Sequence, residues 1–107
     1  MASVEQLVNT GRDCMRNSIF PTAEYFFRQA LRLVPFQIEI SLMLVDALHE
    51  QKKYNECLSL CRRVWESTQN QPEIYIKLGN IHASLHQWHD ALRVVESGLI
   101  RFPGKTD

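Results

Sequence analysis

Residues 75–98 read YIKLGNIHASLHQWHDALRVVESG, and this stretch decides the fold. Its first part carries a single helical stripe, because four of its residues lie at i, i+3, i+4 and i+7: Tyr75, Leu78, Gly79 and His82. The stripe breaks at His86-Gln87 and restarts at helical spacing with Trp88, Ala91, Leu92, Val95, Gly98 and Leu99. The pattern predicts two amphipathic helices joined by a short turn.

The same pattern recurs when the chain is shifted against itself by 34 residues. Aromatic residues coincide at Phe20, Tyr54 and Trp88, and small residues coincide at Ala23, Cys57 and Ala91. Three units follow without insertion or deletion: 4–37, 38–71 and 72–105. We therefore expect one domain over residues 1–107, made of three helix pairs.

Proline and glycine positions support this division. Pro21 and Pro72 suit the first turn of a helix, and Pro103 suits a position just beyond a helix end. Glycine inside a helix costs about 1 kcal/mol relative to alanine, so Gly11, Gly79 and Gly98 need a packing reason. Close crossing of paired helices provides that reason. We expect an all-α chain of six helices of about 14 residues each, without strands.

The spacing resembles the tetratricopeptide repeat, whose pattern runs W-x2-L-G-x2-Y, then A-x3-F, then a small residue and a proline. The third unit carries it as Tyr75-x2-Leu78-Gly79-x2-His82, Ala91-x3-Val95, Gly98 and Pro103. The middle unit departs from the pattern with Val45, Cys57, Cys61 and Gln69. The resemblance implies an α-solenoid of three antiparallel helix pairs in a right-handed superhelix. It also implies a concave groove that binds proteins.

Composition excludes several other classes. The chain has 12 basic and 12 acidic residues, whereas a nucleic-acid-binding domain normally has a basic face. No apolar run approaches the roughly 18 residues that a membrane span needs. The first residues lack the pattern of a secretory leader, and the chain has three cysteines. We expect reduced thiols and a cytoplasmic or nuclear location, with neither nucleic acid nor membrane as partner.

The residues that commonly carry chemistry are assigned to packing. Cys57 and Cys61 match small or apolar residues of the other two units at the 34-residue spacing, so we expect them in the core. We expect the same of Trp65 and Trp88. A histidine group, His82, His86 and His89, is expected to diverge rather than to bind a metal. No catalytic motif is present, so we expect no enzyme, no metal and no cofactor.

The candidate binding surface is the stripe opposite the packing stripe of each first helix. Apolar residues at its centre and charged residues at its edge suit a partner's helix or extended segment. The surface comprises Val8, Arg12, Met15, Arg16, Leu42, Met43, Asp46, Ile76, Lys77 and Asn80. The alternative is that some of these residues only pack between neighbouring first helices.

Family members that hold chaperone tails use Lys, Asn and Arg in this groove. At the matching places this chain has Val8, Arg12, Met43, Glu73 and Lys77, so we expect no tight capture of such tails.

A second candidate surface lies on the last helix and comprises Leu92, Val95, Leu99 and Phe102. Four residues after Pro103 are too few for a further covering helix, so we expect a longer repeat protein or a homodimer to cover this face. The alternative is that these residues pack against the preceding helix.

The predicted function is a scaffold or adaptor that binds a protein or peptide segment in its groove. The rival is an N-terminal homodimerisation module of a large assembly that resembles the anaphase-promoting complex.

Overall fold

The computed structural model describes residues 2–35, 37–67 and 72–103. These residues form six α-helices and no strand, so the predicted all-α fold is confirmed. The helices are α1 (Val4–Arg16), α2 (Phe20–Leu33), α3 (Ile38–Glu50), α4 (Tyr54–Ser67), α5 (Pro72–Ser84) and α6 (Trp88–Arg101). Their first residues repeat every 34 positions, as the sequence pattern requires. Gln69 and the predicted repeat ends at 71 and 105 lie outside the described residues.

The chain forms two compact units, Met1–Lys53 with α1 to α3 and Tyr54–Asp107 with α4 to α6. In the first unit α2 packs against both α1 and α3, and in the second α5 packs against both α4 and α6. Within each unit every helix thus contacts its neighbour in sequence, as the helix pairs of an α-solenoid do. None of the described helices combines the length and the apolar content needed to cross a lipid bilayer.

Helix starts follow from local sequence. Ser3 caps α1 by accepting a hydrogen bond from the Gln6 backbone N–H, while the Gln6 side chain accepts one from the Ser3 N–H. This reciprocal pair satisfies two of the N–H groups that a helix start leaves without partners. Pro21 lies in the first turn of α2, and Pro72 begins α5, where a missing N–H costs nothing.

The turns after α1, α3 and α5 share one unusual conformation. Ser18, Lys52 and His86 have positive φ angles of 59°, 62° and 60°, and they are spaced 34 residues apart. In each case the next backbone N–H donates to a carbonyl five residues back, for example Ile19 N–H to Cys14 O at 2.8 Å. This is the Schellman arrangement, which normally places glycine at the left-handed position. Because none of the three is glycine, the local sequence does not reveal this turn conformation.

Glycines mark the places where paired helices touch most closely. A Cβ atom added to Gly11 of α1 would lie 2.5 Å from Phe27 Cε1 of α2. In the second unit a Cβ on Gly79 would lie 2.9 Å from Val95 Cγ2, and one on Gly98 would lie 2.8 Å from Tyr75 Cβ. These distances are shorter than any normal carbon contact, so the predicted packing reason for the helical glycines is observed.

A network of side-chain hydrogen bonds joins α3 to α2. Gln51 Nε2 donates to Glu24 Oε1 at 2.9 Å, and Lys53 Nζ donates to the same oxygen at 3.0 Å. Arg28 Nε donates to Glu24 Oε2 at 2.8 Å. Burial of Glu24 alone would raise its pKa, but the hydrogen bonds from Arg28, Lys53 and Gln51 outweigh it and lower the pKa below the ordinary value. The carboxylate is therefore held ionised at the point where α3 ends.

Three residues predicted for the core are less buried than expected. Trp88 is 61% exposed and Trp65 is 36% exposed. Ala91, whose match with Ala23 and Cys57 at the 34-residue spacing predicts a buried position, is only half-buried, whereas Ala23 and Cys57 are fully buried. The reason for Trp88 and Ala91 is the same: α3 packs against α2 and α5 against α4, but no described helix covers the corresponding face of α6.

Adding one methyl group at the α5–α6 contact is expected to destabilise the fold. Gly98→Ala places a Cβ against Tyr75 Cβ, which rotation of the Tyr75 side chain cannot move away. Overpacking costs about 1–3 kcal/mol, and the better helix propensity of alanine returns about 1 kcal/mol. We expect a net loss of up to about 2 kcal/mol in urea unfolding followed by circular dichroism. The exposed neighbour Ser97→Ala should change stability little, and a stabilised Gly98→Ala would contradict the contact.

Removing the charge of Glu24 should matter most at neutral pH. Because its pKa is lowered in the folded protein, the stabilisation is complete above the ordinary value of 4.5. It is lost as the pH falls through the lower, folded value. Glu24→Gln should therefore lower the urea midpoint at pH 7 and approach the wild type at pH 3. The exposed Glu50→Gln serves as the control and should shift the midpoint little at either pH.

Candidate functional site

A surface pocket of about 510 Å³ lies in the first unit. Residues from α1, α2 and α3 line it: Arg12, Met15, Arg16, Phe27, Met43 and Asp46. Its walls combine two thioethers and an aromatic ring with charged groups. A wall of this kind accepts both apolar and charged groups of a protein segment.

Helix packing fixes the apolar part of this pocket. Phe27 is fully buried on α2, and its ring approaches α1 at Gly11, where no side chain stands in the way. Met15 in the last turn of α1 and Met43 in α3 are both half-buried. Methionine side chains are unbranched and flexible, so they adapt their shape to a ligand. The pocket thus has a fixed aromatic base and adaptable sides.

The charged residues of the pocket are exposed at its edge. Arg16 Nη2 forms an ion pair of 2.6 Å with Asp13 Oδ1, but both side chains are largely in solvent, so the pair contributes little. Arg12 is exposed and makes no ion pair within the described part of the chain. Asp46, on α3, is exposed as well. Arg12 is therefore accessible to an acidic group of a ligand.

The structure brings most of the predicted groove residues of the first unit together. Arg12, Met15, Arg16, Met43 and Asp46 all line the pocket, and the half-buried Val8 lies one turn before Arg12. Leu42, in contrast, is only 6% exposed and belongs to the core.

Leu42 is buried because most of α3 is buried. The buried residues include Ser41 and Leu44, which flank the predicted stripe on the side that packs against the rest of the unit. This helix therefore has less free surface than α1, and its groove stripe is reduced to Met43 and Asp46. Phe27 also lines the pocket but is not among the predicted groove residues, because it matches Cys61 and Val95 at the 34-residue spacing and so has the pattern of a packing residue.

In the second unit the remaining predicted groove residues lie along α5. Ile76 is 38% exposed, Lys77 is half-buried and Asn80 is exposed. An exposed isoleucine beside two polar residues matches the predicted character of this stripe.

The predicted self-association residues of α6 divide into two pairs. Leu92 and Leu99 are 57% and 42% exposed. Val95 and Phe102 are half-buried, and the Phe102 ring lies 6.0 Å from the Tyr75 ring of α5, centroid to centroid. The alternative that these residues pack against the preceding helix therefore holds for Val95 and Phe102.

Cysteines and histidines take structural positions. Cys57 and Cys61 are fully buried on α4, and Cys14 is half-buried. His82 Nδ1 lies 2.7 Å from Gln87 Oε1 and hydrogen-bonds across the turn between α5 and α6, while the His86 ring lies edge-on to Trp88. In the described ranges no three His, Cys, Asp or Glu residues form a group that could hold a metal ion.

Comparisons with known proteins add no assignment. No protein-family model matches the chain, and no curated protein matches it. The resemblance to tetratricopeptide repeats therefore rests on the residues quoted above and stays a prediction.

Thiol reactivity should separate the three cysteines. Only deprotonated, accessible thiols react with DTNB, so Cys57 and Cys61 should react slowly in the folded protein. The half-buried Cys14 should react first, and all three thiols should react at once in 6 M guanidinium chloride. The check is the released chromophore in wild type and in Cys14→Ser. Rapid native labelling in Cys14→Ser would contradict the buried positions of α4.

Proposed function

We propose that this chain is a non-enzymatic protein-binding module of the tetratricopeptide type, acting as a scaffold or adaptor. The observation that carries the proposal is the pocket of the first unit, which combines Met15, Met43 and Phe27 with Arg12 at its edge. A partner's segment supplies an apolar side chain for the pocket and an acidic residue for Arg12.

The energetics of such a site divide between its centre and its edge. Loss of a central apolar anchor commonly costs at least about 2 kcal/mol of binding free energy. An exposed charge at the edge mainly changes the association rate and its dependence on salt. Met43 and Arg12 should therefore have different effects when they are replaced.

The first experiment identifies the partner by covalent capture. A photo-crosslinking amino acid at position 12 should link to a protein segment in a lysate, and mass spectrometry should locate the segment. The same group at the exposed position Arg32, outside the pocket, is the control. Equal cross-linking from both positions would contradict a binding site at the pocket.

The second experiment measures the affinity of the captured segment as a synthetic peptide. Met43→Ala should weaken binding at least about 30-fold, which corresponds to about 2 kcal/mol. Its control is Leu33→Ala, because Leu33 is 50% exposed on α2 and does not line the pocket. Circular dichroism should show unchanged helix content in both variants.

Charge reversal gives an independent test of the edge. Arg12→Glu should slow association and reduce the dependence of the rate on salt, with Arg62→Glu on the exposed side of α4 as control. Binding that survives both Met43→Ala and Arg12→Glu would remove the pocket from consideration.

A further inference from the structure

Both methionines that follow Met1 lie in the pocket of the first unit. The chain has three methionines, and Met15 of α1 and Met43 of α3 both line this pocket. Each of the two side chains is half-buried, so each keeps accessible surface. The pocket holds about 510 Å³, many times the volume of about 30 Å³ that one water molecule takes in the liquid. A molecule as small as hydrogen peroxide therefore reaches the pocket walls.

The cysteines of the chain do not share this position. Cys57 and Cys61 are fully buried on α4, and Cys14 is half-buried on α1 but is not a pocket residue. A thiol reacts with an oxidant as the thiolate, whereas a thioether needs no deprotonation before it reacts. The two thioethers are therefore the sulfur groups that the pocket presents to an oxidant.

The reaction open to these two side chains is oxidation to the sulfoxide. A lone pair of the methionine sulfur attacks one oxygen of hydrogen peroxide, the O–O bond breaks, and the second oxygen leaves as water after proton transfer. The sulfur is oxidised by two electrons and the peroxide is reduced by two. The product is methionine sulfoxide, which is polar where methionine is flexible and apolar.

Each methionine has a charged neighbour three positions away on its own helix. Arg12 precedes Met15 on α1, and Asp46 follows Met43 on α3. Residues at this spacing lie side by side on a helix surface. A sulfoxide oxygen accepts hydrogen bonds, so at position 15 it offers a partner to the Arg12 guanidinium. At position 43 it lies beside a carboxylate, which donates no hydrogen bond.

Oxidation therefore acts on both properties that binding in the pocket requires. An apolar group that entered the oxidised pocket would separate a sulfoxide oxygen from water, which costs free energy unless a hydrogen bond replaces the lost one. Arg12 would also have an acceptor within the chain, in competition with an acidic group of a ligand. Both effects weaken the binding of an apolar segment that carries an acidic residue.

We propose that Met15 and Met43 form an oxidation site, at which peroxide converts both thioethers to sulfoxides and thereby prevents ligand binding in the pocket. The inference rests on the proposed function of the same pocket and adds the regulation of that site. The reverse step is reduction by a methionine sulfoxide reductase. Two thiols supply two electrons and form a disulfide, and the sulfoxide oxygen leaves as water.

Leucine provides a matched residue that peroxide does not oxidise. Its volume and helix propensity are close to those of methionine, so Met15→Leu with Met43→Leu retains the apolar walls and removes both thioethers. A second variant adds Leu33→Met to this pair. Leu33 is 50% exposed on α2 and does not line the pocket, so this chain carries an accessible thioether outside the site.

The binding probe is the dye anilinonaphthalene sulfonate, which joins aromatic rings to one anionic group. The dye also binds other exposed apolar surface, so the signal to be measured is the part of its emission that Arg12→Glu removes. All chains carry Cys14→Ser, which removes the half-buried thiol. Peroxide should weaken this binding to the methionine-containing chain at least about 10-fold. Both leucine chains should bind the dye equally before and after treatment.

Mass spectrometry and enzymatic repair complete the experiment. Trypsin cleaves after arginine and lysine, so Met15 lies in the peptide 13–16 and Met43 in the peptide 33–52, both separate from Met1. Each of the two peptides should gain one oxygen atom when the folded protein is treated. Circular dichroism should show unchanged helix content, and methionine sulfoxide reductases specific for the two sulfoxide epimers should restore dye binding.

Several results would overturn the inference: peptides 13–16 and 33–52 that stay unoxidised in the folded protein, oxidised protein that binds the dye as before, or dye emission that does not depend on Arg12. Equal loss of dye binding in the leucine chains would do the same, as would loss of helix content. A captured partner whose affinity does not depend on Met43 or Arg12 would instead contradict the proposed function, while the dye and mass measurements would stand.

Discussion

The close approach of paired helices at glycine is the constraint on which the rest of the structure depends. Gly11 admits the Phe27 ring against α1, and Gly98 admits Tyr75 against α6. A larger residue at either place would separate the helices, and Phe27 would no longer be held at the base of the pocket. The pocket of the first unit is in this sense a by-product of helix pairing. Phe27 at its base is a fully buried core residue, and the half-buried Met15 and Met43 form the accessible apolar surface.

The direction of each helix pair is fixed in the turns rather than in the core. Left-handed residues at Ser18 and His86 reverse the chain within three positions between α1 and α2 and between α5 and α6, and the hydrogen bonds of each turn satisfy carbonyl groups at the helix end. In the first unit, the residues just after α3 also contact α2, since Gln51 and Lys53 both donate to Glu24. One short segment therefore ends a helix and attaches it to its neighbour.

The sequence predicted the fold well because its information is periodic. Six helix positions follow from a 34-residue repeat of apolar and small residues, and local spacing alone sets them. Exposure is not periodic, since it depends on what lies outside a given helix. Trp88 shares a column with Phe20 and Tyr54 and was therefore expected in the core, but its covering helix is absent from the described residues. Leu42 shows the opposite error, since it was expected on the groove surface and is buried. The reason is that more of α3 than of α1 is buried.

Equivalent positions of the repeat differ in polarity from helix to helix, although their spacing is regular. Equivalent positions are polar on α1, with Gln6, Thr10 and Asp13, and apolar on α3 and α5, which must cover a preceding helix. A stripe that covers nothing gains no stability from apolar residues, and in water such residues favour association with other chains. The polar residues of the α1 stripe therefore suit a surface that faces solvent. The face of α6 that exposes Trp88, Leu92 and Leu99 has no such adaptation, since tryptophan and leucine occupy it where threonine or aspartate would serve a solvent-facing surface equally well. The stripe of α1 and this face of α6 thus differ chemically in a way that helix formation does not require, since Gln6, Thr10 and Asp13 are polar where they are exposed and Trp88 and Leu92 are not.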